Sequence, residues 1–253
     1  MPVWQTPAIV LSVKPYGEAD VLVTFMTPSK GRLTGMARHA RKSRQRFAHF
    51  LEPLSRVKFH LSSRPGRDLY FLQQGELVHA FAALRWDLAR LGAAAALAEA
   101  AGLLAGPPEA CRDIFATLEA ALHLLDQGLP PGSLLPAYLL RLLGLGGYRP
   151  RLHPCLHGHA DPEPPLHFNV PRGGVLCRHC PAAGAGPTLP LNPGAWKLLR
   201  LAQDLPMEKL SRLRFPEQQQ RQSLALLRAF LRHHLGRELK AWDFWDKVGG
   251  QRG

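Results

Sequence analysis

Acidic residues are scarce in this chain of 253 residues: 19 Asp and Glu face 32 Lys and Arg, a formal net charge of +13. An imbalance of that size argues against a self-neutralising surface and points to polyanionic partners. Lysine is itself in short supply, at 8 against 24 arginines, so most of the positive charge sits on planar guanidinium forks that match phosphate oxygens. Four cysteines are too few for a disulfide scaffold, which favours a reducing, cytoplasmic setting. Long apolar runs are missing as well. The longest, Leu91 to Ala105, falls short of the roughly 20 residues needed to cross a bilayer and contains Glu99 and Gly102, so it reads as a buried helix. Met1 to Gln5 lacks the basic region of a targeting peptide. Phosphate-binding glycine loops, G-x-S-x-G and H-E-x-x-H do not occur, and nothing in the chain looks catalytic. What is there is ample apolar material: 46% hydrophobic residues can bury a real core and exclude wholesale disorder.

The charge is concentrated at the two ends. Residues 1 to 51 carry 8 cations and 2 acids, residues 52 to 196 carry 12 and 11, and residues 197 to 253 carry 12 and 6. After Asp20 and before Glu52 no acid occurs at all, yet Lys30, Arg32, Arg38, Arg41, Lys42, Arg44 and Arg46 do. A one-sign patch of this kind attracts a polyanion, and binding would release condensed counterions, so affinity should fall steeply with salt.

The first 80 residues read as five short strands: Ala8 to Val13, Val21 to Met26, Arg32 to Arg38, Arg56 to Leu61 and Leu69 to Leu72. With Gly17, Gly31 and Gly66 in the turns, they predict a small barrel compatible with an OB-fold, whose face and loops often bind oligonucleotides. The run from Arg41 to Arg46 then falls in a loop. Phe47 and Phe50 beside it are candidate stacking platforms, although the commoner use of such residues is core packing, as for Tyr70 and Phe71. Past Phe81 the period shifts toward 3.6. Leu84, Leu88 and Leu91 open one helix; Ile114, Phe115, Leu118, Ala121, Leu122 and Leu125 stripe a second; Leu134 to Leu143 supply a third. Leu224, Leu227, Leu231 and Leu235 mark another, with Gly236 as its stop, and the helices are expected to form one bundle.

Between these groups, residues 144 to 194 hold 19 Gly or Pro, a density at odds with a helix or a regular sheet. Three of the four cysteines fall there. Cys177-Arg178-His179-Cys180 has the C-x-x-C spacing that lets two thiolates share one metal, and Gly173-Gly174 before it suits a tight turn. Cys155 has no partner cysteine nearby; His159 gives a usual ligand spacing where His157 would be cramped. The expected quartet is Cys155, His159, Cys177 and Cys180 around a structural zinc. Cys111, far away on an amphipathic stripe, reads as a packed thiol.

Several segments resemble, in the same order, those of the bacterial recombination mediator family RecO. These are Ala8-Ile9-Val10-Leu11, Tyr16-Gly17-Glu18-Ala19-Asp20, Gly31-Arg32-Leu33, Leu51-Glu52-Pro53-Leu54, Gly75-Glu76-Leu77-Val78, Gly173 through Cys180, and Gly236-Arg237-Glu238-Leu239-Lys240. The resemblance implies an α+β multi-domain chain with an N-terminal OB-fold β-barrel, a helical bundle and a small zinc-binding insertion. We expect the OB-fold over 1–80, the first part of the helical domain over 81–148, the zinc knuckle over 149–190, and the rest of the helical domain over 191–253. The family commonly carries C-x-x-C in the first half of its zinc site, where this chain has Cys155-Leu156-His157-Gly158 and His159 can substitute.

By resemblance the chain is a non-enzymatic protein of recombinational DNA repair in the cytoplasm, associated with the nucleoid. It would bind single- and double-stranded DNA, anneal strands, and act with RecR to load RecA onto DNA coated by single-strand-binding protein (SSB). The acidic C-terminal tail of SSB is a natural second partner for the positive surface. Two other readings remain: a zinc-dependent nucleic-acid enzyme, which the histidines around Cys155 motivate, and an RNA-binding OB-fold protein, since basic barrels bind either polymer.

Overall fold

A computed structural model describes residues 3–43, 47, 50–63, 69–181 and 186–249. Five strands form a closed OB-like barrel: β1 (Val3–Tyr16), β2 (Asp20–Thr27), β3 (Gly31–Ala37), β4 (Arg56–Ser63) and β5 (Leu69–His79), in the order β1-β2-β3-β5-β4. Closure depends on β1. Its first half pairs with β4, its second half pairs with β2, and a bulge between Val10 and Ser12 lets one strand serve both. The ladder between β3 and β5 is parallel, with Thr34 opposite Leu69 and Met36 opposite Phe71.

Alternation sorts the side chains. Val21, Val23 and Phe25 of β2, Val57, Phe59 and Leu61 of β4, and Leu72 of β5 are buried in the barrel, while the residues between them turn outward. Phe47 and Phe50 also enter this core; the Phe50 ring lies 6.2 Å from that of Phe59 and covers Gly75, where any Cβ would strike it. Both rings are therefore packing groups, and the alternative use as stacking platforms is set aside.

The chain divides into two compact units, Met1–Gly128 and Leu129–Gly253. The sequence pointed to one helical bundle, whereas α1 (Leu88–Leu104) and α2 (Pro108–Asp126) gather with the barrel in the first unit. The reason is local: the Gly31 turn, at φ +63, sits against Ala105 and Cys111, and Arg56 pairs with Glu119 at 2.6 Å. Asp87 caps α1 by accepting the Ala89 and Arg90 N–H groups. As expected from its composition, α1 is buried along most of its length. Cys111 is buried on α2, and that burial raises its thiol pKa.

In the second unit lie α3 (Pro131–Leu145), α4 (Pro193–Asp204), α5 (Met207–Leu210), α6 (Glu217–Leu235) and α7 (Ala241–Val248). Gly236, in the left-handed region at φ 66, ends α6 where the sequence placed its stop. Trp242 and Trp245 of α7 are buried. The Gly/Pro-rich stretch corrects the sequence reading, because it does form a regular sheet. Strands β6 (Leu166–Asn169), β7 (Gly174–Leu176) and β8 (Thr188–Leu191) pair antiparallel in the order β7-β6-β8. The central strand has no Gly or Pro, and Pro190 falls on an edge strand, where a missing N–H is tolerated. Among the described residues no helix is long and apolar enough to cross a membrane.

Candidate metal centre and nucleic-acid face

The metal centre is assembled by backbone before any ligand is considered. The Leu156 N–H donates to Val175 O at 2.8 Å, tying the first ligand segment to β7, while Gly173, at φ +62, turns the chain into that strand. Cys155 N–H donates to His159 O, and Cys180 N–H to Cys177 O, so each half is a closed turn. Cys155, His159, Cys177 and Cys180 then present ligand atoms that all lie within 4.8 Å of one another. The Sγ of Cys180 is 3.6 Å from that of Cys155 and 3.7 Å from that of Cys177. His159 Nδ1 lies 3.2 Å from the Cys155 and Cys177 sulfurs and 3.8 Å from Cys180.

These separations fit a tetrahedral metal. Ligands at about 2.3 Å for sulfur and about 2.0 Å for nitrogen imply tetrahedral edges of about 3.5–3.8 Å. Charge supports the same conclusion. Burial pushes the Cys180 thiol up to about 11, the Cys155 and Cys177 sulfurs add to the rise, and the Cys177 N–H opposes it. Burial also opposes ionisation of Cys155, but the His157 and His159 N–H groups and the neighbouring thiols bring its pKa below the ordinary value. The Cys155 thiolate is thus favoured and that of Cys180 resisted until a cation sits among the ligands. The cluster can therefore hold a metal ion.

His157 is not part of the cluster: its Nε2 lies 3.3 Å from Arg172 Nη1. His179 points to Glu163, 3.6 Å away. All four positions expected from spacing come together, across a hairpin whose pairing the spacing alone did not reveal.

The basic residues of the barrel trace a row along β3 rather than one loop cluster. Lys30 and Arg32 lie at its start, and Arg38, Arg41 and Lys42 lie past its end, all of them exposed. Six residues of strand separate Arg32 from Arg38, about 20 Å. Lys30 Nζ sits 4.7 Å from the Trp4 ring centroid, and the stem of Arg32 runs beside Gly102. Arg41 is held at the β1–β2 turn by its N–H to Ala19 O at 3.0 Å and by its guanidinium to Glu18 O at 3.3 Å. Among the described residues none of these five cations makes an ion pair. Arg44 and Arg46 lie outside the described residues.

Beside this row the barrel turns out a continuous face. Lys14, Leu22, Met36 and Phe71 are consecutive partners across β1, β2, β3 and β5, and Ser12, Thr24, Thr34 and Leu69 form the next rank. The Arg38 guanidinium lies 4.7 Å from the Phe71 ring centroid. Tyr70 turns the other way and meets Trp4 edge-on at 5.4 Å. Sequence reading grouped Tyr70 with Phe71 as core. Their adjacency in a strand was the signal that only one of them could point inward.

Residues 1–81 match the family model described as recombination protein O N terminal, and residues 85–243 match recombination protein O C terminal. A DNA repair protein RecO of Anaeromyxobacter sp. (strain K) is 37% identical over 242 residues, covering 95% of each chain. One of Syntrophus aciditrophicus (strain SB) is 34% identical over 247 residues, covering 96% of this chain and 95% of that protein. A third, of Roseiflexus sp. (strain RS-1), is 37% identical over 248 residues, covering 97% of this chain and 86% of that protein.

Proposed function

Because the chain belongs to the RecO family of DNA repair proteins, we propose that it is a non-enzymatic mediator that grips single- and double-stranded DNA through its barrel and anneals complementary strands. The observation that carries this reading is the cation row along β3, without ion pairs among the described residues, bordering the outward face of β2, β3 and β5. Strands 2 and 3 are the part of an OB-fold that meets oligonucleotides. Lys30, Arg32, Arg38, Arg41 and Lys42, together with Arg44 and Arg46, neutralise phosphates. Phe71, under Arg38, offers a ring on which a base can stack. Neutralising phosphates on two strands lowers their mutual repulsion, so pairing proceeds without any bond being made or broken.

The metal is zinc in this proposal, and its role is structural. Three sulfurs and one imidazole suit zinc, and four protein ligands complete its tetrahedron, leaving no position for an activated water. Residues 149–190 act as a metal-ordered module between the two helical parts, 81–148 and 191–253, with 1–80 as the DNA-binding domain. Family membership further supports action with RecR in loading RecA onto DNA coated by SSB, with the acidic SSB tail meeting the remaining positive surface.

A strand-annealing assay under a salt titration, beside a nuclease control, tests the reading. Annealing should accelerate in proportion to protein, fall steeply as salt rises, and leave the strands intact. Salt-insensitive annealing, or nucleotide release that chelation abolishes while the fold persists, would contradict it.

A further inference from the structure

The second compact unit is the more basic of the two. Residues 129–253 hold 17 Lys or Arg against 8 Asp or Glu, whereas residues 1–128 hold 15 against 11. One place concentrates this excess: a cleft of about 260 Å³ between residues 149–153 and α4, lined by Arg149, Arg151, His153, Arg200, Gln203 and Asp204 beside Pro150 and Leu152.

The floor of this cleft is fixed from both sides. Three successive carbonyls are taken up: Pro150 O accepts from the Gln203 side chain at 2.9 Å, Arg151 O from the Val175 N–H at 3.0 Å, and Leu152 O from the Trp196 indole at 2.8 Å. The Arg151 N–H donates in turn to Gly173 O at 2.7 Å. Three backbone oxygens that would repel an anion are thus engaged elsewhere, and Arg149, Arg151 and Arg200 are among the eight residues that line the cleft. Asp204 is its one carboxylate, and Arg149 pairs with it at 3.1 Å. Arg151 and Arg200 make no ion pair among the described residues; Arg200 is instead placed over the Trp196 ring, 5.8 Å from its centroid. The C-terminal end of α4 carries the negative end of its dipole, but three cations outweigh that partial charge and Asp204 together.

We propose that this cleft is a second phosphate-binding site, in the C-terminal unit, that takes the sugar–phosphate backbone of a second nucleic-acid strand. Paired forks of donors on a rigid floor suit bidentate phosphate contacts. A peptide ligand would need apolar pockets for its side chains, and Pro150 and Leu152 are the only apolar residues that line the cleft. The inference rests on the nucleic-acid reading of the barrel and deepens it: a mediator that anneals strands needs a grip on each of them.

The test uses the whole chain and two non-complementary oligodeoxynucleotides, one immobilised and one fluorescent. Binding of the first strand and capture of the second onto the preformed complex are measured across a salt series. With Arg151→Ala/Arg200→Ala, first-strand affinity should stay within about twofold, while second-strand capture falls about tenfold and its log–log salt slope drops by about 1.4, the change for two phosphate contacts on single strands. Arg151→Lys/Arg200→Lys keeps both charges but loses the forks, so it should restore the salt slope and only part of the capture, and the milder Arg151→Gln, at an exposed side chain, should give about a threefold loss. Wild-type capture that none of the three variants alters would overturn the second site and leave the barrel reading intact. Failure of the wild type to bind even the first strand would overturn both. A loss confined to binding of polyglutamate would reassign the cleft to an acidic peptide.

Discussion

Changing Cys177 to Ser should abolish metal binding and unfold residues 149–190 while the barrel stays folded. Cys177 is buried, and its sulfur is within 4.8 Å of the other three ligand atoms, so its loss leaves the site with three donors. The segment it orders is rich in Gly and Pro, and its sheet has one four-residue central strand, so apolar burial alone offers it little. In small zinc modules the metal supplies about 10–16 kcal/mol of apparent binding free energy, which is also their folding free energy. The expected signs are loss of one zinc per chain by metal analysis and rapid proteolysis confined to 149–190. Thiol labelling gives a sharper sign. In the wild type, chelation should expose three reactive cysteines, while Cys111, buried on α2, stays protected until the first unit unfolds. A Cys177→Ser chain that kept its metal and its protease resistance would contradict the account.

Reversing Arg38, Arg41 and Lys42 together to Glu should weaken DNA binding by about two orders of magnitude at low salt and make the log–log salt slope shallower by about 2. The estimate follows from counterion release, at about 0.7 per phosphate contact on single strands, with added repulsion from the new carboxylates. These residues suit the test because they are exposed and make no ion pair among the described residues, so no buried charge is left behind when they are changed. The Arg41 backbone N–H still bonds to Ala19 after substitution. Loss should be uniform across sequences, since phosphate contacts carry no base information. An unchanged slope would remove this patch from the interface.

Much of the barrel could be read from the chain because its strands obey a simple rule. In Arg56 to Leu61, Val57, Phe59 and Leu61 alternate with polar neighbours, and the same residues are buried in the structure. The far half of β5 escaped, because Gln73, Gln74 and Glu76 carry no apolar alternation and Leu77 and Val78 lie exposed. The parallel pairing of β3 with β5, which carries Phe71 to the outer face beside Met36, is a long-range contact that no local pattern encodes. The metal quartet was legible for the opposite reason: ligand spacing is chemistry of the chain itself, and only the pairing of residues 151–156 with β7, which brings Cys155 to Cys177, was hidden. Residues 144–194 misled because Gly and Pro were counted without their positions; none falls in the central strand, and Leu166–Asn169 is left free to pair on both sides. The cleft between 149–153 and α4 was invisible, since Arg151 and Arg200 meet only through tertiary contacts.

The central claim is that the outward face of β2, β3 and β5 with its cation border holds the nucleic acid. Photo-crosslinking the whole chain to bromodeoxyuridine-substituted single strands, followed by peptide mapping, addresses it most directly. The account predicts adducts in the peptides that carry Met36 and Phe71, fading as salt is raised. Adducts confined to residues 129–253, with β3 and β5 unmodified, would contradict it.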